Sequence, residues 1–456
     1  MYKKILIASL ALIAGLASCK KDDPTPSPNP PSTLTIDGVA STLEFYQLDT
    51  AHLSVAGVAK DAAAKAVWAV NGAKAAEGAT FDFTTAHTGK YEVTLTVDGK
   101  SAKHTYTVAP RFSEGAFLLN EGNFGNETGS LTYIHPSKKL VIDQAYYRVN
   151  GTKLGNVCQD LAFGNDQIYI LSQLGPKNGG EGLLTIARSN SLEKVKVYND
   201  EALAQSTPTH IAVLRDHIYI RTERDGILRG SSEGGFTPIT GTKKALKQRM
   251  AKIGERIFAL TKDNKVLMIQ GTQVVRELDL SPAKPSGIAV SHDGKLWVST
   301  TSPNAILKVD PTPDNFVALD THILDKSISA TGPESWQRTT SSAFFAHGDK
   351  LYFTGQSSVI YCHDFATSKT SQVIDVKTID GVGTSANMYY NSLGVDPATG
   401  ELYYAAFEGY STYNKKNVTM VLKADGTKLL LKEKVNSFPA GFYFIPNAAS
   451  RTGANR

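Results

Sequence analysis

The amino-acid sequence predicts an all-β protein, a seven-bladed β-propeller closed by its C-terminal strand and preceded by a small β-sandwich. Three observations lead to this fold class. Residues from about 34 to 110 alternate apolar and polar positions between turn signals, which is typical of short antiparallel strands. From about residue 111 a two-strand unit recurs every 37 to 56 residues. One further copy is divided between the two ends of this region.

The composition of the chain limits its class. Of its 456 residues, 41% are hydrophobic and 20% are charged. A disordered protein would be poorer in apolar residues, and a protein with several membrane spans would be richer. The formal net charge is +5 at pH 7, and it falls by two if Lys3 and Lys4 are removed with a leader. So small an excess over so long a chain gives no indication of nucleic-acid binding.

Residues 1–18 are predicted to be a lipoprotein signal peptide. Lys3 and Lys4 form a positive n-region, and residues 5–16 form an apolar segment too short to cross a bilayer of about 30 Å as a helix. The sequence Leu16-Ala17-Ser18-Cys19 resembles the lipobox of bacterial lipoproteins, in which the cysteine is diacylated and becomes the new N-terminus. We therefore expect lipidation at Cys19. The alternative is an ordinary secretory peptide with an incidental cysteine.

Residues 19–33 are predicted to be a lipidated, proline-rich tether. Proline at every second position from 24 to 30 fixes φ and removes hydrogen-bond donors, which favours an extended chain. Asp22 and Asp23, shortly after Cys19, resemble the surface-export signal of Bacteroidetes lipoproteins. This resemblance implies a protein anchored in the outer membrane by its lipid and facing the cell exterior.

Two further cysteines, Cys158 and Cys362, follow the tether. An oxidising compartment would allow them to pair, but an all-β core also accommodates single thiols. We expect two unpaired, buried thiols.

Residues 34–110 are predicted to form a separate small domain of antiparallel strands. The runs at 66–70 and 90–97 alternate in polarity, and they end at Asn71-Gly72 and Asp98-Gly99. Such dipeptides are strong signals of hairpin turns. Together with Trp68, residues 81–83 and residues 89–91, this pattern resembles a PKD or bacterial Ig-like sandwich, a module that usually serves as a spacer.

Residues 111–447 are predicted to form the propeller. The recurring unit is an apolar strand, a turn with Gly or Asp, and a strand centred on an aromatic residue, with starts at 161, 211, 251, 288, 344 and 393. Four short strands with their turns need about 40–50 residues, which fits this spacing. Residues 117–120 supply an aromatic strand without a first strand, and residues 440–445 supply a first strand with nothing after it.

Pairing these two segments would complete a seventh blade and remove an exposed sheet edge. The alternatives are a β-solenoid or two sandwiches, in which a divided repeat has no purpose.

No periodic helix is predicted; the basic segment 243–252 is interpreted as a solvated face, with a short helix as the alternative. Residues 448–456 are predicted to be a disordered tail.

Several local motifs are rejected as catalytic or metal sites. The ten histidines form no His-x-x-x-His pair, so the sequence predicts no metal site and no cofactor. Residues 230–234 match Gly-x-Ser-x-Gly, but strands on both sides predict a hairpin turn instead of a strand-to-helix elbow. Residues 381–386 imitate a dinucleotide fingerprint without the helix that it requires. A carboxylate pair on two different blades stays possible.

The candidate binding residues are those that a propeller places on one face. Connections that enter first strands and connections that follow second strands open on the same side of the ring, and binding chemistry concentrates in such loops. Aromatic faces and amides there suit a large, partly polar small molecule. The candidates are Asn120, Glu121, Asn123, Phe124, Gln159, His210, Arg224, Arg249, Trp336, Arg338, Gln356, Tyr389, Tyr390, Asn391 and Tyr410.

Two segments resemble a known family. The run from Gly115 to Gly125, with Leu119-Asn120-Glu121-Gly122-Asn123 at its centre, is similar to the opening of YncE-like propeller lipoproteins of Bacteroidetes. The Val395–Tyr403 blade is similar as well. The resemblance implies non-catalytic capture of a corrinoid such as cobalamin, or of a ferric siderophore, and delivery to a TonB-dependent outer-membrane transporter.

Two other classes of function stay open. A propeller enzyme (a lactonase, lyase or glycosidase acting on surface polysaccharide) would need carboxylates or a metal converging at the ring axis. An adhesion or scaffold protein would use the Ig-like spacer equally well.

Overall fold

The computed structural model describes residues 33–39, 44–291, 293–328, 344–355, 357–387 and 393–446. This part of the chain is all-β, as predicted, with a few short helical segments. The α-helices are α1 (Lys60–Ala63), α2 (Ala145–Asn150) and α3 (Glu201–Ser206). The described chain divides into two compact units, of which the first takes residues 33–39, 51–83 and 91–106 and the second takes the rest.

The strands up to residue 109 are β1 (Thr35–Asp37), β2 (Phe45–Tyr46), β3 (Thr50–Ala56), β4 (Val67–Val70), β5 (Ala73–Glu77), β6 (Thr80–Thr84), β7 (Gly89–Val97) and β8 (Lys100–Ala109).

Strands β9 to β23 are β9 (Ala116–Asn120), β10 (Ser130–His135), β11 (Leu140–Ile142), β12 (Asn156–Gly164), β13 (Gln167–Gly175), β14 (Leu184–Arg188), β15 (Lys194–Tyr198), β16 (Pro208–Leu214), β17 (His217–Thr222), β18 (Gly226–Ser231), β19 (Gly234–Pro238), β20 (Ala251–Ile253), β21 (Arg256–Leu260), β22 (Lys265–Gln270) and β23 (Gln273–Asp279).

Strands β24 to β36 are β24 (Pro285–Val290), β25 (Leu296–Thr301), β26 (Asn304–Val309), β27 (Ala318–Ile323), β28 (Phe344–His347), β29 (Lys350–Phe353), β30 (Val359–Asp364), β31 (Lys369–Asp375), β32 (Leu393–Val395), β33 (Leu402–Phe407), β34 (Asn417–Leu422), β35 (Lys428–Glu433) and β36 (Pro439–Phe444).

The first unit contains two sheets that pack face to face. One has the order β1-β3-β6, and in the other β8, β7, β4 and β5 are neighbours. Phe83 on β6 stacks on Tyr106 on β8 with ring centroids 4.7 Å apart. Trp68 on β4 is fully buried beside Phe81 and donates a hydrogen bond from Nε1 to the Gly78 carbonyl over 2.9 Å. The identity of this unit as a PKD or Ig-like module stays a prediction.

Both predicted hairpin turns of this region are confirmed. Val70 pairs with Ala73 across Asn71-Gly72, and β7 neighbours β8 across Asp98-Gly99. All four turn residues have φ between 49° and 81°. This left-handed pair suits the twist of a hairpin, and asparagine, aspartate and glycine tolerate it best.

The second unit is built from four-stranded antiparallel sheets. Six of them use consecutive strands: β12–β15, β16–β19, β20–β23, β24–β27, β28–β31 and β32–β35. In each of these, the two strands of the predicted recurring unit pair as an antiparallel hairpin. Residues 230–234 form the predicted turn between β18 and β19, where Ser231 pairs with Gly234.

A further four-stranded sheet combines both ends of the second unit in the order β11-β10-β9-β36. Phe442 on β36 lies opposite Leu118 on β9, and Tyr443 lies opposite Phe117. The predicted pairing of these two segments is therefore confirmed. We call β12, β16, β20, β24, β28, β32 and β36 the first strands. Each packs against the first strand of the next sheet along the chain, and β36 packs against both β32 and β12.

Buried apolar side chains fill the spaces between neighbouring sheets. The largest cluster joins the β9 sheet to the β12 sheet and includes Phe117, Tyr133, Leu161 and Ile170. Because each sheet is covered on both faces by its neighbours, its middle strands are apolar on both sides. The second strands are accordingly mostly buried, whereas the short first strands β20 and β28 are only partly buried.

None of the three short α-helices was predicted. Helices α2 and α3 lie in the connections before β12 and β16, and each has six residues. A helix this short shows no clear 3.6-residue pattern, since it completes fewer than two turns. Asp200 caps α3 by accepting a hydrogen bond from the Leu203 amide over 2.8 Å. The basic segment 243–252 contains no helix.

The cysteines agree with the prediction in part. Cys158 and Cys362 are both unpaired, and Cys158 is fully buried, with its thiol directed to the Gly155 carbonyl. Cys362 on β30 is only half-buried, so the prediction of a buried thiol is confirmed for Cys158 alone. Burial raises the pKa of both thiols.

Candidate functional site

Along the direction of its strands, each antiparallel sheet has two different ends. At one end the first strand begins and the second strand ends, as where Asn156 lies opposite Gly175. At the other end a tight turn joins the same two strands, as where Gly164 lies opposite Gln167. We call these the loop end and the turn end. The predicted binding residues that the structure describes belong to the loop end.

The Asn120–Asn123 segment holds the loop between β9 and β10 in place. Buried Asn120 donates hydrogen bonds to the hydroxyls of Ser130 and Thr132 and accepts one from the Ser437 amide over 3.0 Å. The Glu121 amide donates to the Phe438 carbonyl, and Asn123 accepts from the Gly125 amide. These predicted residues therefore position the loop.

An aromatic patch lies beside this loop and consists of Phe407, Tyr410, Tyr413 and Phe438. The Phe438 ring lies 4.5 Å from that of Tyr413, 5.3 Å from that of Phe407 and 5.7 Å from that of Tyr410. Phe438 has φ of 53°, an uncommon conformation for a bulky residue that costs about 1–3 kcal/mol. Tyr410 is 42% exposed, so the patch presents a ring to solvent.

Phe124 adds a second exposed ring at the loop end. Its side chain is 62% exposed, and the Lys177 ammonium group lies 4.5 Å from the ring centroid. The preceding residue, Asn123, interacts with Tyr413 of the aromatic patch. The loop that carries Phe124 is thus connected to the patch.

A buried cluster of Asp160, Arg249 and Tyr443 joins first strands of different sheets. Asp160 on β12 accepts a hydrogen bond from the Tyr443 hydroxyl on β36 over 2.7 Å and one from the Ile211 amide on β16 over 2.9 Å. Nε of Arg249, two residues before β20, lies 3.3 Å from Asp160 Oδ1. The Arg249 guanidinium also lies 4.1 Å from the Tyr443 ring centroid.

Arg249 reaches the backbone of β36 as well. It donates hydrogen bonds to the carbonyls of Ala440 and Phe442 over 3.3 and 3.5 Å. Gly441 lies between these carbonyls with φ of 142°, and a Cβ atom there would be 2.0 Å from Arg249 Nη2. Only glycine gives the guanidinium this close approach to the strand.

Burial governs the ionisation of this cluster. Burial raises the pKa of Asp160, while Arg249 and the hydrogen bonds to the carboxylate act in the opposite direction. Burial also raises the pKa of Tyr443. Each Asp160 oxygen already accepts a hydrogen bond, so the carboxylate is engaged in holding four sheets together.

Three other predicted residues have different environments. Gln159 is buried, and among the described residues its Oε1 has no hydrogen-bond partner. His210 is buried with Nδ1 3.0 Å from the Thr209 hydroxyl. Arg224 is exposed in the turn between β17 and β18. The structure brings Arg249 into the buried cluster but does not bring Arg224 to it.

The remaining predicted residues lie outside the described part of the chain. These are Cys19, Trp336, Arg338, Gln356, Tyr389, Tyr390 and Asn391.

Sequence reasoning missed Asp160, Tyr443, Lys177 and Phe438. A signal for Asp160 was present, because it is the one acid in the apolar run of β12 and aspartate is almost never fully buried without a partner. Tyr443 and Phe438 carried no comparable local signal. Asp160, the partner of Tyr443, is 283 residues away along the chain, and the ring neighbours of Phe438 belong to another sheet.

A cavity of about 770 Å³ opens at the turn end of the β12, β16 and β20 sheets. It contains none of the predicted binding residues. It is lined by Phe163, Gly164, Asn165, Asp166, Gln167, Ser189, Val213, Leu214, Arg215, Lys252, Gly254, Glu255 and Pro446. We call it the turn-end cavity.

Neither a metal cluster nor a membrane span is found among the described residues. In that part of the chain, no three His, Cys, Asp or Glu side chains are grouped so as to hold a metal ion. Over the same residues, no helix has the length and apolar character needed to span a membrane.

The comparisons with known proteins give a family and a fold. Residues 114–446 match the family described as Domain of unknown function (DUF5074). The search of curated proteins found no match. A quinoprotein alcohol dehydrogenase-like protein of Bacteroides thetaiotaomicron is similar in structure, with 15% identity, a TM-score of 0.58, and coverage of 90% of this chain and 98% of that chain.

Two more solved structures are similar over a smaller share of the chain. One is a putative 6-phosphogluconolactonase of Bacteroides fragilis, with 11% identity, 73% and 98% coverage and a TM-score of 0.46. The other is virginiamycin B lyase of Staphylococcus aureus, with 14% identity, 60% and 83% coverage and a TM-score of 0.40. At such low identity, structural likeness indicates only the fold, and the four-stranded sheets of the second unit are typical of a β-propeller.

Proposed function

This chain belongs to the DUF5074 family, and we propose that it is a lipid-anchored surface protein that binds a large small-molecule nutrient at the loop end of a seven-bladed propeller. The nutrient class is a corrinoid such as cobalamin, or a ferric siderophore. The partner that receives it is a TonB-dependent outer-membrane transporter. The protein itself performs no catalysis.

The strand pairing supports the ring. Among the described residues, seven sheets have four strands, and the first strands pack against one another in chain order. Strand β36 belongs to the β9 sheet and packs against both β32 and β12, which are the first strands on either side of it. We infer a ring of seven blades that β36 closes.

The observation that carries the binding proposal is the pair of exposed rings at the loop end. Phe124 and Tyr410 are 62% and 42% exposed, and the Tyr410 ring packs against the buried Phe407 ring. Rigid aromatic rings bury a large area while losing little conformational entropy. Asn123, which precedes Phe124, interacts with Tyr413 of the aromatic patch, and we propose that one ligand contacts both exposed rings.

The anchor and the partner follow from the N-terminal segment and the family resemblance. We propose that Cys19 is lipidated and that residues 20–33 tether the protein outside the outer membrane. A fixed ring presents its loops in one arrangement, which suits a protein that must bind a ligand and then dock on a transporter.

Isothermal titration calorimetry of the full chain in detergent tests the binding proposal. The probes are cyanocobalamin, a ferric catecholate siderophore and haem. We expect heat with at least one probe, and the double variant Phe124→Ala/Tyr410→Ala should weaken that binding by at least about tenfold. Leu319→Ala/Ile323→Ala is the matched control, because it removes exposed apolar side chains from β27. Absence of heat with all three probes would contradict the proposal.

A second candidate, a propeller enzyme acting on surface polysaccharide, is favoured by one observation. Asp160 is a buried acid on the first strand β12 with a raised pKa, and such groups are enriched at catalytic sites. Release of reducing ends from capsular polysaccharide by the full chain, lost in a folded Asp160→Asn variant, would favour this candidate over the first.

A further inference from the structure

The turn-end cavity has the size of a small-molecule site. Its volume of about 770 Å³ falls within the range of about 300–1,000 Å³ that is usual for ligand pockets. The first strands β12, β16 and β20 contribute Gly164, Val213 and Lys252 to its lining. It lies at the opposite end of these strands from the proposed nutrient site and is argued independently of it.

Two acidic and two basic side chains line the cavity, and one of each forms an ion pair. Arg215 and Glu255 form an ion pair with a distance of 2.8 Å, so each neutralises the other. Lys252 donates a hydrogen bond from Nζ to the Val213 carbonyl over 3.1 Å. Within the described chain, Lys252 forms no ion pair, although Asp166 also lines the cavity. A lysine ammonium group has three donors, and two of those on Lys252 are not used by Val213.

The surroundings of Lys252 favour an anionic partner. Solvent reaches the side chain inside the cavity, yet the protein atoms around it lower the pKa of its ammonium group, and no carboxylate offsets this effect. Desolvation without a counter-charge destabilises the cation. A bound anion would supply the missing charge and accept the unused donors.

Apolar side chains form another part of the lining. Phe163, Val213, Leu214 and Pro446 lie along the cavity. We propose that the turn-end cavity is a binding site for a small organic anion, with its carboxylate on Lys252 and its apolar body against Phe163 and Val213.

Three probes with one apolar body and different charges test this site. They are 2-naphthoate, 2-naphthamide and 2-naphthylmethylammonium, each titrated into the full chain. We expect 2-naphthoate to bind at least roughly tenfold more tightly than the amide, as a hydrogen bond to a charged group allows. The ammonium probe should bind more weakly still.

The variants assign the preference to Lys252. Lys252→Met should abolish the preference for 2-naphthoate, and Lys252→Arg should retain it. Lys262→Met is the matched control, because Lys262 is an exposed lysine at the loop end of the same sheet. Equal affinity for 2-naphthoate and 2-naphthamide, or an undiminished preference in Lys252→Met, would overturn the proposal.

A measurement on the unmodified sequence covers the case in which Lys252→Met does not fold. Bound 2-naphthoate should protect Lys252 from reductive methylation, whereas Lys262 should be methylated at an unchanged rate. Mass spectrometry measures the extent of methylation at each of the two lysines. Equal methylation of Lys252 with and without the probe would contradict the site. Loss of nutrient binding at the loop end would leave this result unaffected, so the two proposals can fail separately.

Discussion

The two ends of the first strands are built from different kinds of side chain. The loop end carries the aromatic patch and a buried ion pair between Asp160 and Arg249. The turn end carries exposed charges, such as the pair of Arg215 and Glu255, around an open cavity. The same strands thus have buried, linked charges at one end and exposed charges around an open cavity at the other.

Connection length accounts for much of this difference. Turns such as Asn165-Asp166 have room for two residues, and both have positive φ, which excludes most large side chains. The connection from β33 to β34 has nine residues and carries Tyr410 and Tyr413 over the neighbouring segment. Long connections can therefore build a surface of aromatic rings, whereas tight turns leave a recess between sheets.

Removal of β36, which carries Tyr443 of the buried cluster at the loop end, should have the largest effect. Deleting residues 439–456 takes away Tyr443, the carbonyl partners of Arg249 and the strand beside β9. This deletion leaves the β9 edge and the apolar cluster around Phe117 exposed. We therefore expect the chain to aggregate and to lose its cooperative unfolding transition. Size-exclusion chromatography measures the aggregation, and circular dichroism measures the transition. Deletion of residues 448–456 alone is the control and should leave the thermal transition unchanged. A cooperative transition in the chain without β36 would contradict the role given to this strand.

A more selective change removes only the buried positive charge. Arg249→Met leaves the Asp160 carboxylate buried without its counter-ion, which should lower the free energy of unfolding by about 3–5 kcal/mol at neutral pH. Urea denaturation measures this loss. Arg224→Met, which changes an exposed arginine at the same end, should cost less than about 0.5 kcal/mol.

The pH dependence of Arg249→Met gives a second readout. Without Arg249 the pKa of Asp160 in the folded protein should rise further above its unfolded value, because burial is then less opposed. An acid with a raised folded pKa destabilises the protein increasingly as the pH rises from its unfolded pKa to its folded pKa, and it has no such effect below the unfolded pKa. The penalty should therefore be largest near pH 8 and shrink towards pH 4. A constant penalty across this range would rule out the buried carboxylate as its cause.

The smallest expected effect concerns an ion pair at the turn end of the β24 sheet. Burial opposes ionisation of Asp310, but the hydrogen bonds from Lys295 and Thr312 lower its pKa to about 2, from an ordinary value of 3.8. Asp310→Asn should cost about 0.5–1 kcal/mol at neutral pH, since such pairs are weak near the surface. A depressed folded pKa stabilises above the unfolded pKa, so this contribution should disappear as the pH falls from about 4 to about 2. If the urea midpoints of the unmodified and Asp310→Asn proteins differ by the same amount at pH 2 and at pH 7, the stabilising effect does not come from ionised Asp310.

The hairpins and their turns could be predicted because they are local. Alternation over five or six residues, closed by a turn such as Asn71-Gly72, depends on neighbouring residues alone. The pairing of β36 with β9 was also predictable, since each segment lacked the partner that the other supplied. Helices α2 and α3 escaped prediction because six residues contain too little periodicity.

The candidate site was predictable in its outline only. Topology alone indicated that Phe124, Arg249 and Tyr410 belong to the loop end, and they do. Sequence reasoning proposed Arg249 as a ligand contact, which stays a prediction, but it did not indicate that the guanidinium is bound to Asp160 and to the β36 backbone. The interpretation of an arginine depends on its neighbours, and those neighbours are on other sheets.

The sequence by itself determined the strands and their hairpins, because these depend on patterns within a few residues. It also determined that β36 pairs with β9, because each of these segments lacked the partner that the other supplies. Tertiary structure alone decided that residues 160, 249 and 443 meet, that Phe438 lies among Tyr410 and Tyr413, and that a cavity opens beside Lys252. The physical reason is that these contacts form between sheets. Which side chains meet there depends on the packing of whole sheets against one another, and no local period of the sequence encodes it.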